Sequence, residues 1–144
     1  MVHLPYRGGG AALADLLGEQ VPLLFTGMAT AIEYIRAGRL RALGVTSATR
    51  SEALPDVPPV GQFLPGYEAV DWKGIGAPMN TPVEIVEKLN KEINAALADP
   101  KMKARFADLG GTVLPGSPAD FGKLIADETE KWAKVVKFAG LKAD

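Results

Sequence analysis

A glycine turn near the start of the chain is the feature best suited to binding chemistry. Gly8, Gly9 and Gly10 follow a short apolar segment and lead directly into a stretch with helical character, residues 11–17. Backbone N–H groups converge at such a turn, and the start of a helix adds about half a positive charge. The turn is therefore a candidate anion site, although glycine runs of this kind more often serve only as the entry to a helix.

The turn suits a carboxylate better than a nucleotide phosphate. The sequence lacks the phosphate loop G-x-x-x-x-G-K-[ST], and Ala11 and Leu13 do not fit the dinucleotide pattern G-x-G-x-x-G. Two residues before the turn add chemistry of their own. Arg7 can supply positive charge, although an arginine in this place is usually solvated, and Tyr6 offers a phenol with a flat apolar face.

A second polar position follows the next predicted strand. Residues 21–25 form a brief apolar run, and Thr26 and Gly27 close it. Because ligands of open α/β sheets lie outside the carboxyl ends of the strands, we expect Thr26 and Gly27 beside residues 6–10. Trp72 is a candidate wall of the same site, although a tryptophan in a long alternating strand is more often part of a core.

Catalytic and metal-binding groups are sparse. His3 is the only histidine and the chain has no cysteine, which excludes a thiol nucleophile and the usual histidine–cysteine metal sites. Asp127, Glu128 and Glu130 share one predicted helix, where a solvated helical face is the simplest explanation. We therefore expect no catalytic residues, no metal and no cofactor, and the hypothesis of an enzyme rests on the anion turn alone.

The composition is that of a soluble globular protein of about one domain. The chain has 144 residues, of which 47% are hydrophobic and 23% are charged. Its net charge of −1 gives no electrostatic reason to expect nucleic acid or an anionic membrane as a partner. The sequence as given shows neither a signal peptide nor an apolar run of the roughly 20 residues that a membrane helix needs.

The pattern of apolar residues and glycines predicts alternating strands and helices in the first part of the chain. Such alternation implies parallel pairing with right-handed crossovers, and therefore an α/β fold with a parallel sheet. Strands are predicted before the glycine turn and at residues 21–25 and 40–46, and helices at 11–17 and 29–37, with Gly38 ending the second helix.

The rest of the chain begins with a proline-rich loop and is then mainly helical. Residues 47–66 are predicted to form the loop, residues 67–78 one long alternating strand, and residues 112–114 a short strand. Each of three helices has a start signal. The first signal is a capping box with proline at Thr81–Glu84, the second is Asp99–Pro100, and the third is Ser117–Asp120. The last helix is expected to end near Gly140.

Ordered motifs over nearly the whole chain carry a family resemblance. They include Pro5–Gly10, Ala12–Leu17, Ile35–Ser47, Leu54–Pro58, Pro65–Glu68, Thr81–Pro82 and Ala98–Pro100. Together they resemble the tripartite tricarboxylate transporter substrate-binding proteins, also called the Bug or TctC-like family. The resemblance implies a periplasmic solute receptor, with a type II periplasmic-binding-protein-like fold of two lobes that close on small carboxylates and deliver them to membrane components of a transporter.

The resemblance also implies a division of the chain, because family members are about twice this length and the similarity is to their C-terminal half. We expect residues 1–66 to form the rear part of the second lobe, a parallel-sheet lobe. Residues 67–78 are expected to be the strand that crosses the hinge, and residues 79–144 the C-terminal helical part of the first lobe. The export signal and the first lobe's strands have no counterpart in this sequence.

Two hypotheses for function remain open at this point. In the first, the chain is part of a carboxylate receptor in which Tyr6, the Gly8–Gly10 turn and Thr26 match ligand-binding positions. The resemblance implies aspartate at or near Thr26 in many relatives, so it leaves the preferred ligand of this chain open. In the second, the chain is a truncated interaction module that keeps the fold without transport and self-associates through exposed edges.

Overall fold

The computed structural model describes residues 2–141, and the regular elements within that range are helical. They are α1 (Gly9–Leu17), α2 (Met28–Arg36), α3 (Val83–Ala98), α4 (Pro100–Asp108) and α5 (Pro118–Ala139), with a short 3₁₀ turn at Val60–Gln62. The five predicted helices are confirmed, with ends that differ from the predicted ones by a few residues. Residues 1 and 142–144 of the predicted lobe ranges lie outside the described residues.

The chain divides into two compact units. The first contains the residues up to Trp72 together with Lys103–Val113, and the second contains Lys73–Met102 and the residues from Leu114 onward. Helix α4 therefore begins in the second unit and ends in the first. The predicted division into 1–66, 67–78 and 79–144 stays a prediction about lobes.

The core of the first unit is built around the contact between α1 and α2. The buried apolar side chains of the described residues are Ala12, Leu13, Val21, Ala31, Ile32 and Val45. Each helix contributes two adjacent buried residues, and Ile32 has no exposed surface at all. Burial of these four apolar side chains stabilises the short pair, in which neither helix exceeds nine residues.

Helix α2 ends at the glycine that the sequence predicted. Gly38 has a φ of +70°, a left-handed conformation that favours glycine. Its N–H donates to the carbonyl oxygen of Ile35 at 3.0 Å, and the N–H of Arg39 donates to that of Tyr34 at 2.9 Å. These two bonds form a Schellman motif, which satisfies carbonyl groups that the last turn of the helix leaves without a partner.

The predicted parallel sheet is not present among the described residues. The predicted strands at residues 2–5, 21–25, 40–46, 67–78 and 112–114 form no ladder there. One isolated parallel bridge joins Val45 to Pro59, and the N–H of Val45 donates to the carbonyl oxygen of Pro58 at 3.0 Å. The physical reason is that a strand needs a neighbouring strand for its hydrogen bonds, and a sequence pattern predicts an extended segment without supplying that neighbour.

In the second unit, two asparagines of α3 fasten the segment that precedes α5. The side-chain amides of Asn90 and Asn94 each donate to the carbonyl oxygen of Gly116 at 2.9 Å, and the N–H of Gly116 donates to Asn94 Oδ1 at 3.1 Å. Because the asparagines are one helical turn apart, both reach the same peptide group. This clamp accompanies the packing of α3 on α5 and sets where α5 begins.

The predicted helix starts have different outcomes. The capping box of α5 is confirmed, since Ser117 Oγ accepts from the N–H of Asp120 at 3.1 Å and Asp120 Oδ2 accepts from the N–H of Ser117 at 2.8 Å. The capping box predicted for α3 is wrong. Pro82 is the N-cap of α3, and the Thr81 hydroxyl instead donates backward to the carbonyl oxygen of Pro78 at 2.8 Å.

Asp99 fulfils its predicted role at the start of α4. Its Oδ1 accepts hydrogen bonds from the N–H groups of Lys101 at 2.9 Å and Met102 at 3.1 Å. These are donors of the first helical turn, which have no carbonyl partner within the helix. Across the described part of the chain, no helix has the length and apolar character needed to span a membrane.

We expect Gly110→Ala to destabilise the first unit strongly. Gly110 has a φ of +74°, and a Cβ added there would lie 2.5 Å from the Cγ and Sδ atoms of Met28. Left-handed strain and overlap together are expected to lower the free energy of unfolding by about 2–4 kcal/mol, as measured by urea denaturation. Gly38→Ala is the matched control, because it has the same strain and open space around it. It is expected to cost only about 1–2 kcal/mol. Equal losses in the two variants would contradict the packing role of Met28.

The capping box of α5 is expected to make helix stability depend on pH. Hydrogen bonds from the Ser117 side chain and then from its backbone hold the pKa of Asp120 below its ordinary value of 3.8. A lowered pKa stabilises the folded state fully at pH values above 3.8, and this contribution is lost as the pH falls through the folded pKa. Wild type should therefore exceed Ser117→Ala in thermal stability at pH 6, and the difference should shrink below pH 4. A difference that is constant with pH would contradict the role of the charged carboxylate.

Candidate functional site

Helix α1 presents its N-terminus at the glycine turn. Gly8 is the N-cap, and its extended backbone leads the chain into the helix at Gly9. Residues 9–11 are exposed. The first N–H groups of a helix have no carbonyl partner within it, and they point out from the positive end of the helix dipole. The turn therefore offers several backbone donors to one point in space.

The structure brings Thr26 to this turn. A Cβ placed on Gly9 would lie 3.6 Å from Thr26 Oγ1, which is ordinary van der Waals contact. The hydroxyl is thus a side-chain donor next to the backbone donors of the turn. Gly27 follows as the N-cap of α2, so the starts of two helices and one hydroxyl lie in the same neighbourhood.

Asp71 is a residue of this neighbourhood that the sequence analysis did not select. A Cβ on Gly27 would lie 3.7 Å from Asp71 Oδ2. The carboxylate places negative charge beside Gly27. No local motif in the sequence points to Asp71, because its proximity to Gly27 arises only from tertiary structure.

Tyr6 is fixed to α1 by its hydroxyl group. Tyr6 donates to Asp15 Oδ2 at 2.7 Å, and this hydrogen bond to a carboxylate raises the pKa of the phenol above its ordinary value of 10. The hydroxyl proton is therefore directed at α1. The residue is 36% exposed, so part of its surface is open to a ligand.

Arg7 and Trp72 are the remaining predicted site residues. Arg7 is exposed and lies between Tyr6 and the turn, a position from which its long side chain can reach an anion there. Trp72 is half-buried and directly follows Asp71 in the chain. The structure thus brings Thr26, and with it Gly27, to the turn, and the ligand-binding roles of all the predicted site residues stay predictions.

The carboxylates of α5 form ion pairs within their own helix. Asp127 pairs with Lys123, Glu128 with Lys131 and Glu130 with Lys134. Hydrogen bonds from Lys131 and Trp132 hold the pKa of Glu128 below its ordinary value. The interpretation of these carboxylates as a helical face is confirmed, and the described residues contain no cluster of three or more metal-ligating side chains.

Comparison of the whole chain with protein families identifies its relatives. The family model for the tripartite tricarboxylate transporter family receptor, TctC, matches residues 1–141. The chain belongs to this family. The expected resemblance is therefore confirmed, and the family is one of periplasmic solute-binding receptors rather than of enzymes.

Two curated relatives in the family differ in length. The UPF0065 protein in the tcbD-tcbE intergenic region of Pseudomonas sp. strain P51 is 39% identical over 138 residues, which are 94% of this chain and 41% of that protein. The UPF0065 protein in the clcB-clcD intergenic region of Pseudomonas knackmussii is 33% identical over 94% of this chain and 82% of its own length. The chain thus spans less than half of one relative and most of the other.

Solved structures show the same fold. R. palustris Rpa4515 with adipate has a TM-score of 0.90 at 34% identity and covers 95% of this chain, while the chain covers 46% of it. The periplasmic binding protein BugD has a TM-score of 0.88 at 35% identity, with 98% and 48% covered. MatC from Rhodopseudomonas palustris with bound malate has a TM-score of 0.83 at 32% identity, with 92% and 47% covered. The fold is therefore that of about half of a periplasmic binding protein.

We expect Asp15→Asn to lower the pKa of Tyr6, because it removes the carboxylate that holds the phenolic proton. The chain has three tyrosines, so about a third of the absorbance change at high pH should move to lower pH. Ultraviolet titration of wild type and variant measures this shift. Asp127→Asn, which removes a carboxylate from α5, should leave the curve unchanged. Identical curves for wild type and Asp15→Asn would contradict the hydrogen bond.

Proposed function

We propose that this chain is part of a periplasmic receptor that binds small dicarboxylates for a tripartite tricarboxylate-type uptake system. The observation that carries the proposal is the juxtaposition of the Gly8–Gly10 turn with Thr26 Oγ1 at the start of α1. Backbone N–H groups, a hydroxyl and the positive end of a helix suit one carboxylate group of such a ligand.

Known relatives support the choice of ligand. Adipate and malate, which are bound in two of the similar structures, are both small dicarboxylates. A second carboxylate needs a second group of donors, for which we propose Arg7, with Trp72 and the Tyr6 ring as apolar walls.

The partners and the ligand affinity that we propose take into account that the chain covers about half of its structural neighbours. We propose that the membrane components of the transporter are the partners of the complete receptor, and we assign no catalytic role. A ligand pocket normally encloses most of its ligand. This chain covers about half of its structural neighbours, so its own affinity for a dicarboxylate is expected to be weak, with a dissociation constant on the order of millimolar.

Amide chemical shifts in a titration with malate and with adipate test the proposal residue by residue. We expect saturable shifts at residues 8–11 and at Thr26, with amides of the second unit as an internal reference. Gly9→Asp should weaken binding by about tenfold or more, because the new carboxylate would lie beside Thr26 Oγ1 and repel the ligand.

Gly122→Asp is the matched control, since it adds the same charge in open space on α5 and should leave the affinity unchanged. Two results would overturn the proposal. In one, neither dicarboxylate shifts the amides of the turn at tens of millimolar. In the other, Gly9→Asp and Gly122→Asp weaken binding equally, which would indicate a general effect of charge rather than a site at the turn.

A further inference from the structure

The glycine turn at the start of α1 has few contacts of its own that fix its shape. Gly8 is the N-cap and provides no side-chain hydrogen bond to the helix. A Cβ built on Gly8 or on Gly10 would meet no atom within 4 Å, so both residues border open space. Glycine also loses more backbone freedom on ordering than any other residue. The turn therefore depends on an interaction from outside its own residues to hold it in place.

The first backbone hydrogen bond of α1 is long. The N–H of Ala12 donates to the carbonyl oxygen of Gly8 at 3.5 Å, whereas N–H···O hydrogen bonds in proteins are commonly about 2.7–3.2 Å. At the other end of the same helix, the N–H of Gly18 donates to the carbonyl oxygen of Ala14 at 2.9 Å. The start of α1, where the candidate site lies, is thus less firmly held by backbone hydrogen bonds than its end.

Tyr6 and Asp15 provide a side-chain hydrogen bond that spans the turn. The Tyr6 hydroxyl donates to Asp15 Oδ2 at 2.7 Å, a length typical of a hydroxyl bonded to a carboxylate. Tyr6 lies two residues before Gly8, and Asp15 lies in the second turn of α1. The bond therefore closes a ring of chain that contains the whole turn. We name it the Tyr6–Asp15 staple.

The staple limits how the Tyr6 hydroxyl can act on a ligand. A phenol has one O–H and can donate one hydrogen bond. In Tyr6 this O–H is directed at Asp15, so it is not available to a carboxylate at the turn. The hydroxyl of this predicted site residue is therefore a structural donor, and the donors left for the ligand are those of the turn and of Thr26.

We propose that Asp15 is a positioning residue of the carboxylate site, which holds the Tyr6 hydroxyl and thereby orders the Gly8–Gly10 turn before a ligand binds. The hydroxyl then acts on the ligand through the turn and donates no hydrogen bond to it. This inference rests on the function proposed above. Backbone donors that are ordered in advance lose less entropy on binding, so the staple raises the affinity for a carboxylate. The negative charge of Asp15 acts in the opposite direction, because it repels an anion.

The order of the free turn tests the first half of the proposal without any ligand. NMR order parameters of the amides of residues 8–10 should be near about 0.85 in wild type, as for a rigid backbone. Tyr6→Phe keeps the ring and removes the hydroxyl, and it should lower these values to about 0.6 or less. Tyr34→Phe makes the same change on α2 and is the matched control, for which we expect the wild-type values.

Two substitutions of Asp15 separate the staple from the charge. Asp15→Asn and Asp15→Ala both remove the negative charge, but only the amide still accepts a hydrogen bond from the Tyr6 hydroxyl. In a titration with malate, Asp15→Asn should therefore bind about threefold or more tightly than Asp15→Ala. In the Tyr6→Phe background the two substitutions should bind malate equally, since no hydroxyl is left to donate. Asp127→Asn and Asp127→Ala, the same pair of changes on α5, should not differ from each other. Circular dichroism of each variant confirms that the helices are folded.

Several outcomes would overturn the proposal. Unchanged order parameters in Tyr6→Phe would show that the staple does not order the turn. Tighter binding by Asp15→Ala than by Asp15→Asn, with weaker binding by Tyr6→Phe, would show that a released hydroxyl donates to the ligand. A difference between the Asp15 variants that persists in the Tyr6→Phe background would assign the effect to another contact. Failure of wild type to bind malate, together with loss of order in Tyr6→Phe, would refute the proposed function and support the ordering role of the staple.

Discussion

Burial of apolar surface is the constraint on which the rest of the structure depends, and the chain alone satisfies it poorly. Its accessible surface is 11,421 Å². A compact protein of 15.2 kDa exposes about 7,100 Å², and two separate compact units of these sizes expose about 8,600 Å². The excess of total surface is about 2,800 Å². Each unit exposes large apolar side chains, for example Phe25 (69% exposed) in the first and Met79 (90% exposed) in the second.

The helices of the second unit form although their apolar faces remain exposed. In the second unit, Ile85 and Leu89 of α3 are each 47% exposed, and Phe138 of α5 is 95% exposed. These helices depend on local interactions: the Ser117–Asp120 box, the asparagine clamp on Gly116 and ion pairs along α5. Such interactions set where a helix begins and ends, but each contributes little free energy. The apolar stripes still need a partner surface for stability.

The same contrast explains which predictions from the sequence succeeded. Helix ends were predictable because the signal and its effect lie within one turn, as for Ser117 and Gly38. The strands were not, because an extended segment becomes a strand only through a neighbour that no local pattern specifies. Thr81 shows the limit of local signals, since its hydroxyl donates to the carbonyl oxygen of Pro78 and α3 begins without a side-chain cap. At the candidate site, the proximity of Thr26 to the turn was predictable from the order of the apolar runs, whereas Asp71 reaches Gly27 only through tertiary structure.

The candidate site depends on two extended segments of the first unit. Residues 2–6 continue directly into the glycine turn, and residues 21–25 continue directly into Thr26. The distance between these two segments therefore sets the distance between the donors of the turn and the Thr26 hydroxyl. Donors that are held in place before binding lose less entropy when they bind, so contacts that fix the two segments would favour binding of a carboxylate at the turn.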